Sequence, residues 1–184
     1  MNIRFSKYNR VDGNDFVEAM KIYIEAFPSN ERQSIELIKY RIQTGENKLY
    51  LAFVDDVVVS IAILWNIENS DFILLDYLAV KDHYRDSHIG SEMMQFISNA
   101  ARDKNKHLLI DLEHPMYGSN RLEREKRLDF YLKNGAFILK NTPYYLPSLD
   151  DSSATEMLLL IIPLDKEFCF KKDCIYKKIK QNYF

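Results

Sequence analysis

Residues 72–112 constrain the fold of this chain more than any other segment. FILLDYLAV (72–80) is a run of aromatic, β-branched and leucine side chains interrupted by one carboxylate, and it reads as a buried strand. A polar turn, 81–88, follows it. Ile89, Met93, Phe96, Ile97 and Ala100 then recur on one face at helical spacing. HLLIDL (107–112) is a second apolar strand. Strand, helix and strand in that order form a βαβ unit, in which the two strands lie parallel and the crossover is right-handed. That unit commits the chain to an α/β domain.

The flanking sequence supplies the remaining elements. Residues 3–6 read as a first strand. Phe16, Met20, Tyr23, Ile24 and Phe27 mark an amphipathic helix stopped by Pro28, with Asn14 or Asp15 as its cap. Ile35, Ile38 and Ile42 mark a second helix, and Gly45 suits its C-terminus. Residues 48–54 and 57–65 form a hairpin across Asp55-Asp56. A last helix ends near Asn134 with Gly135 just beyond, and strands at 137–140 and 155–164 close the domain. The expected order, βααβββαβαββ, is that of a mixed sheet flanked by helices.

Composition narrows the class. With 47% hydrophobic and 28% charged residues, the 184-residue chain is globular and long enough to bury one core. Its longest apolar run, 157–164, falls far short of the ~20 residues that span a bilayer. The first residues lack the apolar core of a signal peptide, which leads us to expect a cytoplasmic protein. A net charge of −2 gives no basis for a nucleic-acid or membrane partner. We expect one domain, 1–165, and a basic tail, 166–184, whose lysines are interrupted by Glu167 and Asp173 and read as a solvated helix face. Cys169 and Cys174 have no metal-spaced partners, so we expect free thiols and no metal site.

Chemistry concentrates where the strand 72–80 meets the following helix. A strand-to-helix turn exposes backbone N–H groups at the positive end of the helix dipole, which suits a pyrophosphate. Arg85 offers a guanidinium fork, and Gly90 would let a ligand approach the backbone. No Gly-x-Gly-x-x-Gly or Walker loop is present, which argues against a Rossmann or P-loop nucleotide site.

The segment LLDYLAVKDHYRDSHIGSEMM resembles motif A of the GNAT family of N-acetyltransferases, in which Arg/Gln-x-x-Gly-x-Gly/Ala follows a strand. Arg85 matches the leading residue and Gly90 the second glycine, while His88 stands where the first glycine is usual. RLDFYLKNGAF resembles the family's helix-end signature, a Tyr four residues before a Gly. The resemblance covers about residues 3–164. It implies a mostly antiparallel twisted sheet whose central parallel pair splays apart, with acetyl-CoA as acyl donor.

It also implies roles. Backbone groups of Leu78, Ala79 and Val80 would hold the thioester and the pantetheine amides. Arg85, Asp86, Ser87, His88, Ile89, Gly90 and Ser91 would hold the pyrophosphate. Tyr131 would protonate the leaving thiolate. The attacking amine must be neutral, so a general base is useful. Glu113, just past the strand 107–112, is our first candidate, Asp76 the second and His114 the third; we place Asp76 on the same strand face as Leu78. Glu25 and Glu31 would receive a cationic amine with Phe27 as a wall and Asp76 also in contact, and Tyr144 or Tyr145 would line its pocket. The expected acceptor is a small-molecule amine or a peptide, and the expected assembly a monomer or homodimer. The competing reading is a non-catalytic acyl-CoA-binding or protein-interaction module on the same fold.

Overall fold

The structure, a computed structural model, describes residues 2–116, 120–146 and 155–164. The tail expected at 166–184, with both cysteines, lies outside the described residues. The first half of the chain holds β1 (Ile3–Tyr8), α1 (Asn14–Ala26), α2 (Ile35–Thr44), β2 (Asn47–Val54) and β3 (Val57–Asn66). The second holds β4 (Phe72–Val80), α3 (Ile89–Arg102), β5 (His107–Glu113), α4 (Arg121–Lys133), β6 (Phe137–Ile138), β7 (Tyr144–Leu146) and β8 (Thr155–Ile162). Single 3-10 turns occupy Ser29–Glu31 and Asp82–Tyr84. The strands run β1-β2-β3-β4-β5-β8-β6 across one sheet, with β7 also paired to β8. Every pairing is antiparallel except β4 with β5. This is the mixed, mostly antiparallel sheet with a central parallel pair that the sequence led us to expect.

Local chemistry explains most boundaries. Asp55 and Asp56 both take positive φ, 47° and 63°, as a two-residue hairpin turn requires. Ser34 caps α2 by accepting the Leu37 amide at 3.2 Å, and Gly45 closes that helix at φ 88°. The start of α1 differs from expectation. Its N-cap is Gly13, with no side-chain cap, and the Gly13 carbonyl accepts from the amides of Phe16 and Val17 at 3.1 and 3.3 Å. Asn14 and Asp15 are already inside the helix. The C-terminal strands differ too. β6 is only two residues long, and the stretch between the two expected strands contains a further strand, β7, which pairs with β8 through Tyr144↔Met157. A three-residue strand between Pro143 and Pro147 has no alternating run to reveal it, and an edge strand tolerates flanking prolines.

The sheet separates two apolar layers. On one face α3 lays Ile89, Met93 and Ile97 over Leu64, Ile73, Leu75, Leu108 and Ile110. On the other, α1 and α2 cover Leu49, Leu51, Ile61 and Ile63 with Ile22, Tyr23, Ile38 and Ile42. Each fully buried leucine or isoleucine contributes ~1.5–3 kcal/mol, which fixes the register on both sides. No helix among the described residues is long and apolar enough to cross a membrane.

One irregularity matters for function. In the β3–β4 ladder Ile63 faces Tyr77 but Leu64 faces Leu75, so Asp76 is an extra residue with no partner. It is a β-bulge, and it inverts the alternation of β4. Before the bulge Ile73 and Leu75 face α3; after it Leu78 and Val80 pack on that side, while Tyr77 and Ala79 join the α1–α2 layer. Our placement of Asp76 on the face of Leu78 is therefore wrong. Asp76 accepts a hydrogen bond from Gln33 in the α1–α2 connection, on the opposite face.

Candidate active site

The parallel pairing of β4 with β5 stops at Leu75↔Ile110, immediately before the bulge. Beyond it β4 remains bonded only to β3, as far as Ser60↔Val80, and β5 only to β8. The bulge turns the strand and ends the ladder, so the two strands part. Alternate N–H and C=O groups of residues 76–80 consequently point away from β3 into a gap between central strands. The backbone of Leu78, Ala79 and Val80 lies along that edge.

The start of α3 adjoins the end of this strand. His88, its N-cap, adopts the left-handed region at φ 64°, and Asp86 does the same at φ 60°. The His88 side chain makes no capping hydrogen bond. The first amide satisfied inside the helix is that of Glu92, which bonds the His88 carbonyl at 3.0 Å. The amides of Ile89, Gly90 and Ser91 precede it and have no intrahelical acceptor, which makes this helix start a suitable seat for an anion. The Ser87 hydroxyl donates to the Tyr84 carbonyl and closes the turn. Arg85 is exposed and pairs with Asp82 at 2.7 Å, a contact that solvent weakens and that leaves the guanidinium able to turn to another anion.

Gly90 has a packing reason besides the one expected. A Cβ there would meet the Phe130 ring at 3.3 Å and Val80 Cγ2 at 3.7 Å. The glycine makes room for α4 to pack on α3, and no ligand is needed to explain it. Tyr131, next to Phe130, is buried in the α3-side core at 8% exposure. Burial, helped by the Asp111 charge and opposed by Arg127, pushes its hydroxyl up to about 12. It stays protonated at neutral pH, as a proton donor must.

Carboxylates gather on the other side of the gap. Asp76 is pushed up to about 7, by burial first and then by the charge of Asp111, against Arg41 and the Gln33 hydrogen bond. Asp111, one residue past the last β5 residue paired with β4, is raised to about 6 by burial and accepts from the Tyr144 hydroxyl at 3.3 Å. Glu31 is raised by burial and by the charge of Glu113. Glu113 itself is bound to Arg124 at 2.7 Å, with both side chains mostly buried. His114 accepts the Met116 amide at its Nδ1, 3.1 Å away.

Aromatic rings wall the same region. Phe27 and Tyr23 meet Tyr77 edge-on at 5.0 and 4.8 Å. Tyr77 donates to the Glu31 carbonyl at 3.0 Å, tying the loop after α1 to the bulge. Tyr144 is buried beside Asp111, whereas Tyr145 is half exposed and Glu25 points to solvent. Sequence reasoning passed over Asp111, Gln33, Arg41 and Arg124. Asp111 was visible as a carboxylate breaking an apolar strand, as Asp76 does. The other three had no signal, because their role depends on which loop lies over the bulge.

The acetyltransferase (GNAT) domain family matches residues 45–135, the span from the start of β2 to the end of α4 that contains both the gap and the anion seat. The chain carries a GNAT acetyltransferase domain. Solved structures share its fold. A Bacteroides thetaiotaomicron protein assigned to the GNAT family superposes with a TM-score of 0.77 at 17% identity, covering 96% of this chain and 94% of its own. A GNAT acetyltransferase from Elizabethkingia anophelis, solved with acetyl-CoA bound, gives 0.61 at 18% identity over 88% and 98%. The ribosomal-protein-S18-alanine N-acetyltransferase of Escherichia coli gives 0.63 at 15% identity over 92% and 100%. No curated protein matches the sequence.

Proposed function

We propose that this GNAT protein transfers an acetyl group from acetyl-CoA to a primary amine, on a small molecule or a peptide. The observation that carries the reading is the open edge of β4 past the Asp76 bulge, beside the uncapped start of α3. An amide-rich arm fits along the edge, and a pyrophosphate fits the amides of Ile89, Gly90 and Ser91. The donor would supply an activated acyl carbon and a thiolate leaving group.

The residues divide the proton work. Backbone N–H groups near Leu78 and Val80 would receive the negative charge that develops on the acyl oxygen. Asp76, whose proton affinity lies near neutrality, would take a proton from the attacking amine. Tyr131, held protonated by burial, would give one to the departing sulfur. The new N–C bond replaces the S–C bond, and one proton passes to each of base and leaving group. Asp76 replaces Glu113 as the base we favour, because Arg124 already occupies the Glu113 carboxylate. Phe27, Glu31 and Tyr144 would border the acceptor, with Asp111 favouring a cationic one. Residues 1–165 would make up the catalytic domain.

Calorimetric titration with acetyl-CoA, followed by thiol-release assays over a panel of primary amines, tests the reading. Saturable binding and amine-dependent CoA release are expected. Binding with no transfer to any amine would mark a non-catalytic module instead.

A further inference from the structure

Gln33 makes four hydrogen bonds in one short connection. It lies between the 3-10 turn Ser29–Glu31 and the N-cap of α2. Its backbone N–H donates to the Tyr77 hydroxyl at 3.3 Å, and its carbonyl accepts from the Tyr23 hydroxyl at 3.2 Å. Its side-chain Nε2 donates to Asp76 Oδ2 at 3.3 Å, and its Oε1 accepts from Arg41 Nη1 at 2.9 Å. Both backbone contacts come from ordered aromatic rings of the α1–α2 layer, so the side chain is aimed from a fixed base.

The amide can be oriented in only one way. A guanidinium carries donors and no acceptor, so the oxygen of Gln33 must face Arg41. The NH₂ group must then face Asp76. Arg41 is itself held over the Trp65 ring at 5.1 Å and beside Glu46 at 3.7 Å. A cation thus sets an amide, and the amide presents a donor to the bulged carboxylate.

We infer that Gln33 is a positioning residue for acyl transfer: locked by Arg41, it aims the Asp76 carboxylate and favours its ionised form. This rests on the reading of Asp76 as general base. The groups facing that carboxylate are Asp111 on β5, Arg41 on α2, Tyr23 on α1 and its neighbour Tyr77, besides Gln33 itself. Asp111 opposes ionisation, while Arg41 and Gln33 support it. Gln33 thereby offsets part of the burden that burial and a second carboxylate place on the base.

Two variants test it. Gln33→Met keeps the length but removes both amide groups. Gln33→Glu keeps the acceptor for Arg41 and turns a like charge toward Asp76. Carboxyl carbon NMR titration of the full chain, labelled at aspartate, reads Asp76 without any substrate. Both variants are expected to raise its midpoint, Gln33→Glu by about one pH unit, equivalent to about tenfold in proton affinity. The acid limb of kcat/KM should move by the same amount, with the rate recovering at higher pH. A general loss of packing would instead lower the rate equally at every pH. An Asp76 midpoint that stays put in both variants overturns the Gln33 assignment and leaves the base reading intact. If Asp76→Asn keeps the acid limb, the base reading fails, and the catalytic meaning of Gln33 fails with it.

Discussion

Replacing Asp76 by Asn separates what the carboxylate contributes to catalysis from what it costs the fold. In the folded protein its proton is held up to about 7, chiefly because the group is buried and next because Asp111 faces it. In an unfolded chain the same carboxyl titrates near 3.9, at about the value of a free aspartate. Between those values the folded state keeps a proton that the unfolded state has released, so stability falls as pH rises. Below about pH 4 both states are protonated and the group is neutral to stability. The cost builds from there and is complete above about pH 7. Three decades of proton affinity correspond to about 4 kcal/mol, and residual hydration of this partly exposed side chain brings the expected gain from Asp76→Asn to ~2 kcal/mol at about pH 8. Urea unfolding followed by circular dichroism, at steps between about pH 4.5 and about pH 8.5, measures it. The gap between variant and parent should open with pH and then level. At neutral pH the same variant should lose ~10²-fold in kcat/KM. Parallel stability curves, offset by a constant amount, would refute the reasoning, because they would mean that Asp76 is not held protonated by the fold.

Other perturbations probe the remaining parts of the site. Tyr131→Phe should lower kcat ~10²-fold with little change in the KM for acetyl-CoA, and the loss should be flat across neutral pH because the hydroxyl titrates only near about 12. His88→Gly relieves a left-handed residue at φ 64° and should stabilise the fold by ~1 kcal/mol, seen as a higher Tm, while tightening acetyl-CoA binding in calorimetry. Glu113→Gln breaks the contact with Arg124 and should destabilise by ~1–3 kcal/mol in urea unfolding. It should leave the acid limb of the rate profile where it is, and a displaced limb would restore Glu113 as the base.

The difference between the expected and observed roles of Gly90 illustrates what a sequence can and cannot convey. A glycine in a strand-to-helix turn suggests close approach by a ligand, and the family motif encourages that view. The structure adds a reason that the sequence did not offer, the Phe130 ring from a helix about forty residues later in the chain. Glu113 shows the same limit. It is the last residue of β5, paired with Met157, where we expected it just past the strand, and Arg124, which occupies its carboxylate, comes from α4; nothing local predicts which face of that helix will turn inward.

The βαβ unit at 72–112 was determined by sequence alone, because apolar runs and helical spacing are local properties that each segment expresses wherever it lies. The hairpin at Asp55-Asp56 and the C-cap at Gly45 were legible for the same reason. The bulge at Asp76 was not. It arises from a mismatch of one residue between β3 and β4, a property of two strands in register and of neither strand by itself. That single extra residue reverses the faces of β4, turns Asp76 toward Gln33 and away from α3, and lies where the pairing with β5 ends. Tertiary structure decided the site because the gap and the carboxylate beside it both lie where β4 loses its register.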